Sequence, residues 1–226
     1  MKNTHSSSKR LESLDALRGF DLFFLVALGP LMHSLARTAN VEWLNESMWV
    51  FSHVSWEGFS PWDLIMPLFL FMSGISMPFS LSRYKSISDK RPLLRRLAKR
   101  ILLLWIFGMM CQGNLLALDP NTIYLYSNTL QAIATGYLIT ALLFLFTSRR
   151  TQIITAVVLL LVYWTTMQFI TVDGYGGGNY TPQGNLAEWI DNTVLGRFRD
   201  TAQVIDGKMV VADWYHYTWI LSSLNF

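Results

Sequence analysis

The chain has 226 residues, 52 % of them hydrophobic and only 15 % charged, with a net charge of +3. Charged residues make up about a quarter of an ordinary soluble domain, so this composition excludes one and indicates an all-α, polytopic membrane bundle. The single cysteine, Cys111, excludes an internal disulfide framework and any CxxC metal motif; it reads as a small buried hydrophobe.

Residues Met1 to Lys9 are polar, and the first apolar run beyond them lacks a small-residue cleavage site, so it reads as a retained span rather than a signal peptide. That span covers about 19–35. Asp15, Arg18 and Asp21 recur every third residue as it begins and share one side of a helix. Such residues cost roughly 2.5–3.5 kcal/mol each at the centre of a membrane helix and less near its end. A mutually neutralised interfacial cluster is one reading. Asp21 lies deeper than that reading needs, which favours the other: Arg18 facing the bundle interior toward an anionic ligand.

The second span, about 62–81, opens with clear helix punctuation. Ser60 stands at the N-cap, Pro61 at the first helical position and Asp63 at the third, an S-x-x-D capping box. Pro67 and Pro78 leave the carbonyls of Asp63 and Gly74 without helical partners. Just ahead stand His53, Trp56 and Glu57. Histidine, with an ordinary pKa of about 6.5, takes and releases protons near neutrality; the competing reading of His53 is an idle, solvated side chain. Asp63 can orient that imidazole, or simply stabilise the helix start by roughly 0.3–1 kcal/mol. Glu57 is a second candidate partner. Trp56 and Trp62 fit an interfacial aromatic belt, with stacking on a sugar ring as the alternative.

Three further spans read at about 101–118, 130–147 and 153–171, making about five. Between the second and third, Arg83, Lys85, Lys90, Arg91, Arg95, Arg96, Lys99 and Arg100 stand against Asp89 alone. Short basic loops stay cytoplasmic. The N-terminus and the turn at Arg149 and Arg150 fall on the same side, which puts the His53 loop outside. The basic loop attracts anionic lipid headgroups or polyphosphate, with Arg95 and Arg96 as candidates for the latter. Asn128 and Gln131 open the fourth span on one face, where interhelical hydrogen bonding is the simple reading.

Residues 1–171 thus form the helical domain, and 172–226 an outer segment. The latter holds a glycine cluster (Gly174, Gly176, Gly177, Gly178), a short helix around Leu186 to Leu195, and an aromatic run (Trp214, Tyr215, His216, Tyr217, Trp219) leading toward a further span. The glycines do not form GxGxxG after a strand, so no dinucleotide site is expected.

Two segments together carry a resemblance: SLDALRGFDLFF at Ser13 to Phe24 and HVSWEGFSPWDLIMPLFLFMSGISM at His53 to Met77, with NTLQAIATGYLI at Asn128 to Ile139 in support. They resemble the multi-spanning acyltransferases of the heparan-α-glucosaminide N-acetyltransferase type and their bacterial relatives. The resemblance implies acetyl transfer from cytosolic acetyl-CoA to an amino sugar at the outer face. It implies a histidine as the active group, which His53 matches; Asp63, ten residues on, stays the candidate partner that its own position suggests. Arg18, Asp21, Gln131, Arg95 and Arg96 become candidates for the donor, and Trp56 and Glu57 for the acceptor. Family members carry an Asn near the outer end of the first span, where this chain reads LGPLMH with Gly29, Pro30 and His33. They also continue through further spans, so this chain reads as their N-terminal part.

The expected partners are therefore a small-molecule acyl donor, a sugar acceptor and the lipid bilayer, without metal or nucleic acid; a homo-oligomer is compatible. The expected location is a bacterial inner membrane with the N-terminus cytoplasmic. Two rivals stand beside the enzyme: a proton-coupled transporter, which also uses intramembrane charges and broken helices, and a non-catalytic fragment of a larger membrane protein.

Overall fold

The computed structural model describes residues 12–200 and 217–226, with the backbone of two strands at 202–205 and 208–211. The N-terminal residues Met1 to Lys9 and the aromatic residues Trp214 to His216 lie outside the described residues. Two compact units divide the chain, Met1–Ser80 and Leu81–Phe226. Among the described residues the fold is all-α apart from short hairpins, and four helical runs are long and apolar enough to cross a membrane: Glu12–Ala39, Pro61–Lys85, Thr129–Phe146 and Arg149–Phe169.

In the first unit α1 (Glu12–Phe23), a π-helical turn (Phe24–Leu28) and α2 (Gly29–Ala39) form one run. Pro30 explains the wide turn. A proline inside a regular helix clashes with the carbonyl four residues back, and a local widening to i→i+5 bonding relieves such a clash. Asn40, at φ 47°, closes α2 in the left-handed conformation, its N–H returning to Ala36. The short α3 (Glu42–Ser47) and a 3-10 turn (Met48–Phe51) come next. The capping box at Ser60 and Asp63 forms as the sequence predicts. It opens a 3-10 turn, Pro61–Leu64, before α4 (Ile65–Lys85). Pro67 thereby falls in the first turn of α4, where helical N–H groups have no partner anyway.

In the second unit α5 (Arg91–Cys111) differs from the predicted 101–118 span. The helix starts ten residues earlier, because Arg and Lys are good helix formers, and it ends earlier too. At Gly113 a side chain would lie 2.8 Å from the Tyr124 carbonyl, and Asn114 takes φ 52°, so the chain reverses and Leu115–Ala117 is a 3-10 turn. Hydropathy alone carries the span past this reversal. The five cations in its first half keep this 21-residue helix off the apolar set. Cys111, at its end, is exposed rather than buried.

Helices α6 (Thr129–Phe146) and α7 (Arg149–Phe169) lie within a few residues of their predicted limits. Asn128 caps α6 by accepting from the N–H groups of Leu130 and Gln131, and Ser148 caps α7. The exposed Ile153, Ile154, Val157, Leu160 and Leu161 leave α7 apolar around much of its surface, a state suited to lipid.

Beyond α7 the segment Val172-Asp173-Gly174-Tyr175 makes a tight hairpin between β1 (Thr171–Val172) and β2 (Tyr175–Gly176). Its two central residues have φ 51° and 87°, the turn that Asp-Gly favours. Helix α8 (Leu186–Leu195) falls where the sequence puts it, and β3 (Ala202–Ile205) pairs with β4 (Lys208–Val211). A buried network ties α8 to Arg199 and to the backbone of residues 217–220. Arg199 grips Glu188 through two bonds of 2.5 and 2.6 Å and donates to Asn192 and the Tyr217 carbonyl. Asp191 accepts from the N–H groups of Trp219 and Ile220; burial pushes its carboxyl above the ordinary range, against those two donors and Arg199. Removing Arg199 leaves a buried carboxylate uncompensated, so Arg199→Ala is expected to cost about 3–5 kcal/mol, seen as a lowered thermal midpoint of the detergent-solubilised protein.

Candidate active site

The site is built within the first unit around the start of the second membrane run. His53 Nδ1 lies 2.7 Å from Asp63 Oδ1. A carboxylate only accepts, so the proton of this bond sits on Nδ1 and Nε2 is the basic nitrogen. Asp63 uses its two oxygens differently. Oδ1 takes the imidazole, while Oδ2 accepts the backbone N–H of Ser60 at 2.8 Å and faces the Ser60 hydroxyl at 3.0 Å. Helix capping and histidine orientation, two readings that competed in the sequence, coexist in one side chain. His53 is half exposed, at 51 %, against 25 % for Asp63.

The loop carrying His53 is held at several points. Ser60 Oγ also lies 2.7 Å from the Ser52 carbonyl, and the Ser52 hydroxyl donates to the Met48 carbonyl. His33 Nε2 sits 3.1 Å from the carbonyl of Phe51, which joins α2 to the chain two residues before His53. The Trp62 indole meets the His53 ring edge-on at 6.5 Å between centroids and packs on Phe24 and Phe51. Room for that indole comes from Gly29. A methyl there would lie 2.7 Å from Trp62 Cζ3 and closer still to Cη2. Gly29→Ala is therefore expected to overpack this contact by about 1–3 kcal/mol, measurable as a fall in thermal midpoint.

Arg18 spans from α1 to α4, donating to the Met72 carbonyl at 3.3 Å, with Asp15 at 3.6 Å on its own helix. Asp21 is 3 % exposed, and its Oδ2 has no hydrogen-bond partner among the described residues. Trp56 and Glu57 stand in the exposed turn after His53.

The other predicted residues belong to the second unit. Gln131 is fully buried; its Oε1 accepts from the Ser127 N–H at 2.7 Å and its Nε2 donates to the Leu125 carbonyl at 2.6 Å. Its amide is thus committed at both ends to the chain's own backbone. Arg95 and Arg96 lie exposed on α5, Arg96 3.4 Å from the Tyr84 hydroxyl. His33, Ser52 and the Gly29–Trp62 contact escaped the sequence reading as parts of the site, although the departure from the family pattern at LGPLMH pointed to this stretch.

A family model described as the heparan-alpha-glucosaminide N-acetyltransferase catalytic domain matches residues 10–175. The chain belongs to that family. A search of the curated proteins returned no match. For this heparan-alpha-glucosaminide N-acetyltransferase family member, the matched stretch includes His53, Asp63, Arg18, Asp21 and both α5 and α6. Membership supports a transmembrane acetyltransferase working on small-molecule donor and acceptor in a bilayer.

Proposed function

We propose that the protein transfers an acetyl group from acetyl-CoA to the amine of a sugar acceptor at the outer face of the membrane, with His53 as the active group. The observation that carries this reading is the 2.7 Å bond from His53 to a carboxylate that is itself fixed at a helix start. As a base, Nε2 takes the proton lost by the acceptor amine as its nitrogen bonds the acetyl carbon and the C–S bond breaks; the imidazolium then returns that proton to the thiolate. As a nucleophile, Nε2 itself bonds the acetyl carbon while the thiolate leaves; the amine then attacks that carbon, the bond to Nε2 breaks, and the amine's proton passes by way of Nε2 to the thiolate. Either route ends in amide and thiol, and either forms an imidazolium beside Asp63, which the carboxylate stabilises. Trp56 and Glu57 are the acceptor candidates nearest in the chain. Arg18, with N–H groups beyond the one spent on Met72, suits the anionic donor.

The positive-inside pattern supports a cytoplasmic N-terminus and, with the bacterial relatives, an inner-membrane location. One observation favours the rival carrier: a buried carboxylate oxygen without a partner among the described residues, on Asp21, is what a proton-coupled transporter would use. The test uses inverted vesicles bearing the full-length protein, supplied with radiolabelled acetyl-CoA and glucosamine. Label on the amino sugar is the expected result; a protein that neither binds nor turns over the donor, yet moves protons, would replace this reading with the carrier.

A further inference from the structure

The cations of the second unit are not equivalent. Lys85 and Lys90 lie over the rings of Phe144 and Phe146. Arg96, Lys99 and Arg100 instead line one end of an open groove of about 380 Å³, whose other end is formed by Leu103, Leu104 and Phe107. All six lie on α5, in chain order from its basic half into its apolar half. The accessible lining of the groove is hydrocarbon, so Arg96, Lys99 and Arg100 contribute their aliphatic stems to it rather than their charged ends.

Two of the three cations are held in place by aromatic residues of other elements. The Arg100 guanidinium stacks 4.3 Å from the centroid of the buried Tyr137 ring on α6, and Arg96 donates to the Tyr84 hydroxyl near the end of α4. The α5–α6 pair beneath is locked. Asn128 Nδ2 donates to the Gly108 carbonyl at 2.5 Å, and a side chain on Gly108 would strike Asn128 and Gln131 at 2.8 Å. Among the described residues no carboxylate pairs with Arg96, Lys99 or Arg100. The groove is therefore an apolar surface, with Leu103 at 39 % and Phe107 at 49 % exposure, bordered at one end by three cations, of which Arg96 and Arg100 are held by aromatic residues.

We infer that this groove is a binding site for an anionic phospholipid. The phosphate engages Arg96, Lys99 and Arg100, and one acyl chain lies along Leu103, Leu104 and Phe107. A phosphate satisfies guanidinium donors in charge-assisted bonds, and the order of charges before hydrocarbon matches the order of headgroup before chain in a leaflet. A soluble phosphate donor shares the first half of this chemistry; the hydrocarbon floor decides for the lipid, because an adenine nucleotide would leave that floor unmatched. The site is independent of the acetyl-transfer reading.

Native mass spectrometry of the full-length protein with palmitoyl-oleoyl phosphatidylglycerol or phosphatidylcholine tests it. Wild type is expected to retain phosphatidylglycerol in preference to phosphatidylcholine, and the combined variant Arg96→Gln, Lys99→Gln, Arg100→Gln to lose at least about tenfold in that affinity. The charge-matched control Lys90→Gln, Arg149→Gln, Arg150→Gln should bind as wild type does. Leu103→Ser with Phe107→Ser should weaken the long-chain lipid and leave dihexanoyl phosphatidylglycerol unaffected. These residues are on the surface, and an unchanged circular dichroism melt verifies folding of each variant. Equal losses in groove and control variants would mean diffuse charge attraction and overturn the site. A groove variant that loses coenzyme A while keeping phosphatidylglycerol would overturn the lipid and assign the cations to the donor.

Discussion

His53→Ala is expected to lower acetyl transfer to glucosamine by about 10²–10⁴-fold, the range that a positioned acid–base group contributes. If His53 acts on the reacting atoms, as proposed, the loss should appear in kcat rather than in donor affinity. His53 stands in a loop and is half exposed, so its removal creates no core cavity and the thermal midpoint should barely move. Steady-state kinetics with direct measurement of coenzyme A binding separates these effects. Unchanged kcat would remove His53 from the chemistry.

Asp63→Asn is the second large effect, and it is more diagnostic than alanine. The substitution preserves shape but replaces one acceptor oxygen with an NH₂ donor. The amide can then accept from Ser60 at the helix start or from His53 Nδ1–H, but not from both in the present geometry. If the cap keeps the oxygen, the NH₂ faces His53 and drives the proton from Nδ1 to Nε2, the wrong tautomer for either role. A comparable change in a serine protease triad costs about 10⁴ in kcat; the more exposed setting here makes about 10²–10³ the expected loss. Ser60→Ala removes the cap hydroxyl, and with it the contact to the Ser52 carbonyl, while leaving both partners of the His53–Asp63 bond in place. It should cost about 1 kcal/mol of stability while the His53–Asp63 bond, and most of the activity, survives. A loss in Ser60→Ala as large as in Asp63→Asn would show that helix start geometry, not the histidine's tautomer, is what matters.

How far the sequence reveals the structure depends on the range of the forces involved. The capping box at Ser60 and Asp63 is a local pattern and forms as its spacing requires. Helices α6, α7 and α8 are equally legible, because a polar cap followed by an uninterrupted helical run is a signal within a few residues. The His53–Asp63 pair is visible only as two residues ten apart with competing local explanations. Ser52, Ser60 and His33, which no periodicity links, hold the loop folded back.

Three features are hidden for identifiable reasons. The π-turn at Phe24–Leu28 turns on one proline in an otherwise apolar run. The early start and end of α5 reflect helix propensity and the Gly113 reversal, to which hydropathy is blind. The Arg199 network joins residues 11 and 18 apart in sequence, where charge spacing carries no helical meaning. The Asp173-Gly174 hairpin, by contrast, has a signal that the glycine cluster obscures.

The most direct measurement is a single-turnover experiment with radiolabelled acetyl-CoA and excess full-length protein, comparing wild type, His53→Ala and Asp63→Asn after equal donor binding has been verified for each. Wild type is expected to transfer label rapidly to glucosamine, Asp63→Asn slowly, and His53→Ala not above background. Transfer by His53→Ala at the wild-type rate would contradict the role of His53 and move the search for the active group to the carboxylates of the first membrane run.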